Sequence, residues 1–405
     1  MKLSIQQFYK AGLLCMFIIV MMIAGAGFAH SQPGDKSEIT LPIKIEYCID
    51  QKSDMSIEEA VSCKYLARNA LPRGSLSDST VWIRLQINQS KTDHPTWAIH
   101  IGPHFLGLIE LYKATENGWD RQAAGSKIPF NDSPATLGGY VFEVSPSAAS
   151  VETVYFRVQM SGLSLVLINV AALNQAGLDS MSQQFGIGIH IGAILLILAF
   201  SIFNYLIHPS RLMFRFCWLT VVILLGILGG SGILAKYVFE QLPWWDGVFF
   251  NWMVCLRLAC WIWVLQAFLK AYPTPRWYSS GCRLVYWIVA LSVVLGWFNQ
   301  IVLVQQLLFT GFIATSIFQI IAIQKTPGMD VALRRTLLAG FIIANVLIFL
   351  TVILAIYPFA VTHTIVYVTR LSDFVTPMVL LVTFALSDRL KRKEFEAVKA
   401  ANIQM

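Results

Sequence analysis

The chain has 405 residues, of which 56% are hydrophobic and only 13% are charged. Soluble globular proteins carry about 25% charged residues, so this composition excludes a wholly soluble fold and a disordered chain, and it predicts membrane spans. Residues 32–180 contain 12 basic and 16 acidic side chains, whereas residues 181–405 contain 16 basic and 7 acidic ones. The basic excess therefore lies beside apolar segments, which indicates a membrane partner and argues against nucleic acid.

The N-terminus has the pattern of a secretory signal peptide. Lys2 and Lys10 precede an apolar run from Ala11 to Phe28, and small residues follow that run. A basic region, an apolar region and a small-residue exit predict cleavage near Ala29, with residues 1–29 as the signal peptide. The apolar run is long for a signal peptide, so an uncleaved membrane anchor is the alternative.

Residues 30–180 are predicted to form an exported β-sandwich. From Ile39 onward the hydrophobic period changes to two, as in Val81–Ile87, where aliphatic residues alternate with polar or aromatic ones. Short strands of this kind, separated by turn residues, are typical of an antiparallel sandwich or jelly roll. Cys48 and Cys63 are the two cysteines of this segment, and in an exported domain they predict one disulfide.

Two predicted strands place an aromatic residue and an arginine on the same face. Trp82 and Arg84 lie two residues apart, and so do Tyr155 and Arg157. Side chains at i and i+2 share one face of a strand. Aromatic rings beside forked donors bind sugars or carboxylates by stacking and bidentate hydrogen bonds. These four residues are therefore candidate ligand-binding residues, and a solvated sheet face with cross-strand pairs is the alternative.

Residues 181–388 contain seven apolar runs that are long enough to cross about 30 Å of hydrocarbon. The Lys and Arg residues of the connections test the orientation. If the sandwich is outside, the cytoplasmic connections and the C-terminal tail carry 13 basic side chains, whereas the opposite connections carry only Lys236. We therefore predict an external sandwich and a short basic cytoplasmic helix or tail over residues 389–405. The predicted spans are approximately Phe185–Ile207, Leu212–Leu234, Gly247–Leu269, Cys282–Asn299, Ile301–Ile323, Thr336–Tyr357 and Ile365–Leu386.

Three charged side chains fall inside these spans, where charge is costly. Arg257 lies in the third span, and Arg370 and Asp373 lie in the seventh. The last two are three residues apart and can share one helix face. We interpret the three as an intramembrane polar network that holds one arrangement of the bundle or lines a site. The alternative for Arg370 is that its side chain reaches the outer interface.

The connection from Lys236 to Asp246 is rich in aromatic residues and contains two acids. An aromatic belt at the membrane interface is the expected role. The alternative is a surface on which the sandwich rests.

The sequence predicts no metal site, no cofactor and no enzymatic centre. His94, His100 and His104 have no tetrahedral metal spacing, and the sandwich shows no nucleophile–base arrangement. Only one acid, Asp373, lies deep within a span, whereas intramembrane hydrolases need paired acids or metal ligands. A transporter would show internal repeats or matching broken helices, and neither is convincing here.

Motifs in both halves of the chain are typical of one receptor family. They are Val81–Leu85, Trp97, Glu110–Tyr112, Gly118–Trp119, Gly125 and Tyr155–Val158 in the sandwich, and Gly186–Tyr205 and Ala385–Leu390 in the apolar half. Together they resemble the bacterial seven-transmembrane receptors with diverse intracellular signalling modules. The resemblance implies a type-2 periplasmic jelly-roll sensor, a seven-helix bundle, a location in the bacterial inner membrane and a cytoplasmic kinase or cyclase output.

The sequence departs from that family in two places. The arginine that often follows the middle glycine of the family's sandwich has no counterpart between Lys127 and Gly138, which puts the details of ligand binding in doubt. Only 17 residues follow Asp388, and a kinase or cyclase needs a larger core. We therefore expect the output either from a separate partner or from a longer form of the chain.

The expected fold is an all-β periplasmic jelly-roll domain followed by an all-α seven-helix membrane bundle. The expected function is that of a non-enzymatic receptor for a periplasmic small molecule or glycan, and the glycan is what a resemblance of the sandwich to carbohydrate-binding modules implies. The expected partners are membrane lipid, a cytoplasmic kinase or cyclase and a second copy in a homodimer. A non-sensing accessory or assembly subunit is the first alternative, and a transporter is the second.

Overall fold

The computed structural model describes residues 43–67, 80–88, 96–145, 151–159, 166–298, 300–356 and 368–388. Within these ranges an antiparallel β domain precedes seven long apolar helices, as the sequence predicts. The predicted signal peptide, residues 1–29, and the predicted tail, residues 389–405, lie outside the described residues.

The β domain consists of ten strands in the described part of the chain. They are β1 (Ile43–Asp50), β2 (Leu66–Ala67), β3 (Thr80–Asn88), β4 (Trp97–Gly102), β5 (Leu108–Thr115), β6 (Gly118–Ala124), β7 (Ala135–Thr136), β8 (Gly139–Val144), β9 (Val151–Gln159) and β10 (Leu167–Ala172). A six-stranded sheet has the order β2-β1-β3-β9-β5-β6, and a four-stranded sheet has the order β10-β4-β8-β7. All of the pairings are antiparallel.

The two sheets share one apolar core, which makes the domain a sandwich. Ile83 of β3 and Phe156 of β9 are fully buried, and they belong to the same cluster as Ile99 of β4 and Phe142 of β8. The rings of Phe142 and Phe156 lie 5.4 Å apart in an edge-to-face arrangement. Each fully buried side chain of this size contributes about 1.5–3 kcal/mol. The period of two in the sequence therefore identifies the residues that join the sheets.

A disulfide-closed segment between β1 and β2 covers the outer face of the six-stranded sheet. It contains the short helix α1 (Ile57–Val61), which begins with a capping box between Ser56 and Glu59. The predicted bond between Cys48 and Cys63 is present. It ties the end of α1 to β1, so the segment is held against the sheet.

Seven of the remaining helices are long and apolar enough to cross a membrane. They are α2 (Leu173–Ile207), α3 (Arg211–Gly230), α5 (Trp244–Leu269), α6 (Arg276–Trp297), α7 (Ile301–Lys325), α8 (Val331–Ile356) and α9 (Val368–Asp388), and the short helix α4 (Ile233–Tyr237) follows α3. Their core includes the fully buried Phe216, Ile262, Leu265 and Phe341.

The first long helix begins earlier than the sequence predicts. The expected start was Phe185, but α2 begins at Leu173, directly after β10 ends at Ala172. Residues 173–184 are polar enough to escape a search for apolar runs, yet they contain no proline and continue the helix. The expected boundary between residues 180 and 181 therefore lies inside α2, and no loop separates the sandwich from the bundle.

The disulfide gives the first testable prediction. Replacing both cysteines (Cys48→Ser and Cys63→Ser) should lower the free energy of unfolding of the sandwich by about 3 kcal/mol, because the bond closes a loop with a sequence separation of 15 and restricts the unfolded chain. Urea-dependent amide hydrogen exchange in β1 and β3 of the full chain measures the change. A reductant should destabilise the wild type to the same degree and leave the double variant unchanged. A wild type that is insensitive to the reductant would contradict the prediction.

Candidate functional site

The four predicted ligand-binding residues lie together on the outer face of the six-stranded sheet. In the pairing of β3 with β9, Trp82 lies opposite Arg157, and Arg84 lies opposite Tyr155. The alternation within each strand therefore predicts their common face correctly. Whether they bind a ligand stays a prediction.

This face is not the open stacking surface that the sequence suggests. Trp82 is fully buried and Tyr155 is 8% exposed. Both pack against Cys48, Ile57 and Ala60, which belong to β1 and the disulfide-closed segment. Neither ring is available to stack on a sugar in this structure. The expectation of an exposed face is wrong because a distant segment of the chain folds over it, and strand alternation carries no information about that cover.

The two arginines of this face are bound to internal carboxylates. Arg84 donates from Nε and Nη2 to Oε2 of Glu46 at 3.0 and 2.7 Å. Arg157 donates from Nη1 to Oε2 of Glu110 and from Nη2 to the carbonyl oxygen of Ser53, both at 2.9 Å. Since Glu46 and Glu110 are buried, the arginines offset charges that would be costly if left unpaired.

A rim made of the half-buried Tyr112 and Trp119 and the exposed Arg121 borders the covered residues. Trp119 and Arg121 repeat the aromatic-x-arginine pattern on the edge strand β6, and Tyr112 lies opposite Arg121 on β5. The Trp119 ring meets Tyr155 edge-on at 5.7 Å, and the Tyr112 ring lies 5.5 Å from Trp82. The Arg121 side chain is 56% exposed while one of its nitrogens pairs with Glu110. The sequence contains this signal, but the rim residues were not among the predicted ligand contacts.

Inside the bundle, Asp373 is the centre of a polar cluster. Arg257 of α5 forms an ion pair with Asp373 of α9, and Nε2 of His190 on α2 lies 3.8 Å from Oδ2 of Asp373. One turn earlier on α9, Arg370 packs against α2 so closely that a Cβ at Gly186 would overlap its guanidinium. The structure thus pairs Arg257 with Asp373, and it places Arg370 of the predicted network against α2.

His190 is the member of this cluster that the sequence reasoning missed. It is 6% exposed and lies in an otherwise apolar part of α2. A search for Lys, Arg, Asp and Glu in the spans excludes histidine, although a buried imidazole is also costly in hydrocarbon. Its position, 17 residues after the start of α2 at Leu173, is about 25 Å along the helix. One uninterrupted helix, α2, therefore runs from the sandwich to His190, which lies beside Asp373.

The sandwich also rests on the connection that follows α3. The backbone N–H of Gly138 donates to the carbonyl oxygen of Ser231 at 3.0 Å, and the side chain of Asn131 hydrogen-bonds to Glu240. The alternative interpretation of the aromatic connection, a resting surface for the sandwich, is the one that these contacts support.

Two side-chain pairs extend the same contact toward the bundle. The rings of Phe105 and Phe250 stack with their centroids 4.8 Å apart. Nδ1 of His104 lies 3.4 Å from Oδ2 of Asp246, in the first turn of α5. We refer to this contact region as the junction.

Comparison with known proteins identifies the sandwich. A family model described as 7TMR-DISM extracellular 2 matches residues 43–171. This segment is similar to the extracellular sensor domain that the model describes. Its bounds coincide with the first strand and the last strand of the sandwich, and seven candidate membrane helices follow it. The resemblance to seven-transmembrane receptors is therefore confirmed at the level of the sensor domain and the helix number. No curated protein matches the chain.

The described residues contain no cluster of three or more His, Cys, Asp or Glu side chains that could hold a metal ion. The chemistry of the rim, the junction and the intramembrane cluster is that of hydrogen bonds, ion pairs and ring contacts. These are interactions that hold or release a conformation.

The pairing of Glu46 predicts a pH dependence. A hydrogen bond from Lys44, followed by those from Arg84, holds the pKa of Glu46 below its usual range. The resulting stabilisation is complete above the unfolded-state pKa of about 4.3 and is lost as the pH falls through the lower folded-state value. Glu46→Gln should therefore destabilise the sandwich more at pH 7 than near pH 2. Amide exchange in β1 and β3 measures the effect, and Glu116→Gln, at an exposed position, serves as the matched control. An equal effect of Glu46→Gln at both pH values would contradict this account.

The intramembrane cluster predicts the effect of removing one charge. Asp373→Asn leaves Arg257 without its counter-ion, which costs about 3–5 kcal/mol for a fully buried pair. We expect a smaller loss of about 2–3 kcal/mol, because the Arg257 side chain is 28% exposed. The loss would appear as a lower melting temperature in detergent. The double variant Arg257→Gln/Asp373→Asn should recover most of it. A double variant that is less stable than Asp373→Asn would show that the pair does not account for the loss.

Proposed function

We propose that this protein is a membrane receptor whose sandwich senses a small molecule outside the cytoplasm and whose bundle transmits the change inward. The observation that carries this proposal is the direct continuation of β10 into α2. A domain of a known sensor family is thereby joined to a membrane helix without a linker. A change in the tilt or position of β10 consequently moves α2 as well.

The proposed route of transmission runs from β10 through α2 to α9. His190 on α2 contacts Asp373 on α9, and Arg257 holds the same carboxylate from α5. A displacement of α2 changes the surroundings of Asp373, and α9 precedes the C-terminal segment of the chain. A ligand shifts such an equilibrium only by its difference in affinity for the two states, and a coupling of about 1–3 kcal/mol is typical.

We propose that the ligand, a glycan or another small polar molecule, binds at the rim. Trp119 supplies a partly exposed ring and Arg121 supplies donors in solvent, which suits stacking and hydrogen bonding to a sugar. In this proposal Trp82, Arg84, Tyr155 and Arg157 form the layer beneath the rim. This layer responds to ligand through the ring contacts of Tyr112 and Trp119 and through Glu110, which pairs with both Arg121 and Arg157.

We further propose that the protein lies in the bacterial inner membrane, with the sandwich in the periplasm and the C-terminus in the cytoplasm. The end of α3 contacts the sandwich through Ser231, so Arg211 and Arg215 at its start lie at the opposite end of the bundle. Basic residues favour the cytoplasmic side. The proposed output is the binding of a kinase or cyclase to the cytoplasmic end, in a homodimer, without catalysis by this chain itself.

The test is ligand screening with the full chain in lipid nanodiscs. A panel of oligosaccharides and small carboxylates is added, and the melting temperature of the sandwich is followed. We expect a ligand to raise the melting temperature of the wild type and of Glu116→Gln by the same amount. It should not raise the melting temperature of Trp119→Ala or Arg121→Gln. The bound ligand should also change amide exchange in α9, and His190→Phe should reduce that response.

Two results would count against the proposal. A ligand that binds Trp119→Ala as tightly as the wild type would place the binding site away from the rim. A sandwich that responds to no member of the panel would favour an accessory or assembly subunit, in which the same contacts only hold partners together.

A further inference from the structure

The junction contains a buried histidine and a buried aspartate that face each other across the two domains. His104 follows β4 of the sandwich, and Asp246 lies at the start of α5. Their side chains are 3% and 1% exposed, with Nδ1 and Oδ2 3.4 Å apart. Among the described residues, neither Nδ1 of His104 nor either carboxylate oxygen of Asp246 has a hydrogen-bond partner of acceptable geometry. The pair is close enough to form an ion pair when His104 carries a proton on both nitrogens.

The energy of this contact depends on the proton of His104. A buried carboxylate without hydrogen bonds costs free energy. A protonated imidazole facing it converts that cost into an ion pair with a charge-assisted hydrogen bond. Histidine is the side chain that ordinarily gains this proton between about pH 5 and pH 8.

The other titratable groups around His104 are already engaged. Tyr140 of β8 stacks on its ring at 5.3 Å and donates its hydroxyl to the His104 carbonyl oxygen at 2.6 Å. Burial, and secondarily the charge of Asp246, raise the pKa of Tyr140 well above its usual range, so it stays neutral. Lys236 of α4 lies over aromatic rings, and Glu240 binds an asparagine of the sandwich.

The surroundings of the pair make it sensitive to small movements. Gly232, at the start of α4, has a φ of +81°, and a Cβ at that position would lie 2.7 Å from Cδ2 of His104. The backbone of the bundle therefore touches the imidazole directly. A small cavity lined by His104, Tyr140 and Asp246 lies beside the pair.

We propose that external pH sets how tightly the sandwich docks on the bundle, through protonation of His104 opposite Asp246. At the lower pH the ion pair tightens the junction. At the higher pH a neutral imidazole offers the carboxylate at most an uncharged hydrogen bond, and the junction loosens. This regulation goes beyond the proposed function, because it requires no ligand and acts at a site distinct from the rim.

The experiment measures docking by amide hydrogen exchange of the full chain in nanodiscs between pH 5.5 and pH 8, corrected for the intrinsic pH dependence of exchange. The reporter is the Gly138 amide, which donates across the junction to Ser231, together with the peptides of residues 231–246. In the wild type, protection should rise by roughly threefold to tenfold as the pH falls, within the tenfold limit per pH unit for one proton.

Three variants separate this mechanism from a general effect of pH. His104→Gln and Asp246→Asn keep the size of the side chains and should flatten the profile. His208→Asn changes an exposed histidine at the other end of α2 and should keep the wild-type profile. A flat wild-type profile would overturn the proposal whether or not the variants fold. A slope that persists in either His104→Gln or Asp246→Asn would overturn it as well. None of these results depends on ligand binding, so failure of the proposed function would be seen separately.

Discussion

The last strand of the sandwich continues directly into the first membrane helix, and the rest of the structure depends on this covalent connection. β10 ends at Ala172 and α2 begins at Leu173, so the smaller sheet and the bundle share a rigid connection. The helix has 35 residues and is about 52 Å long, which exceeds the about 30 Å of hydrocarbon. Its first turns therefore belong to the exterior. The junction, at the C-terminal end of α3, adds a second attachment. Two attachments hold the sandwich in one orientation, whereas a single flexible linker would not.

The buried carboxylate of Asp373 in the apolar half lies beside basic side chains from two other helices. Arg257 and His190, which lie on two different helices, both approach the carboxylate of Asp373 on a third helix. In hydrocarbon, separating them costs far more than in water. Such a cluster allows few alternative packings, and a receptor needs a small number of discrete states. The same reasoning applies in the sandwich, where Glu46 and Glu110 are buried beside arginines.

Features that repeat along the chain could be predicted from the sequence. The period of two identifies the core positions of β3 and β9, apolar length identifies the seven spans, and the cysteine count identifies the disulfide. Features that depend on which distant segments meet could not be predicted. Nothing in the Trp82 strand indicates that α1 folds over it, and nothing near His104 indicates that Asp246, 142 positions later, lies against it. The position of His190 in the polar cluster was not predicted for another reason, since histidine is not counted among the charged residues of a span. The rim could have been predicted from the sequence, because Trp119 and Arg121 have the same spacing as the aromatic and arginine residues of β3 and β9.

The bond between Cys48 and Cys63 also determines when the sandwich is complete. Without it, the segment that covers Trp82 and Tyr155 is held by its apolar contacts, by hydrogen bonds and by the pairing of β2 with β1. The bond forms in oxidising compartments and is disfavoured in a reducing cytosol. In a reducing compartment the covering segment would therefore lack its covalent tie to β1. A single covalent bond thus makes the cover over this face of the sandwich depend on an oxidising environment.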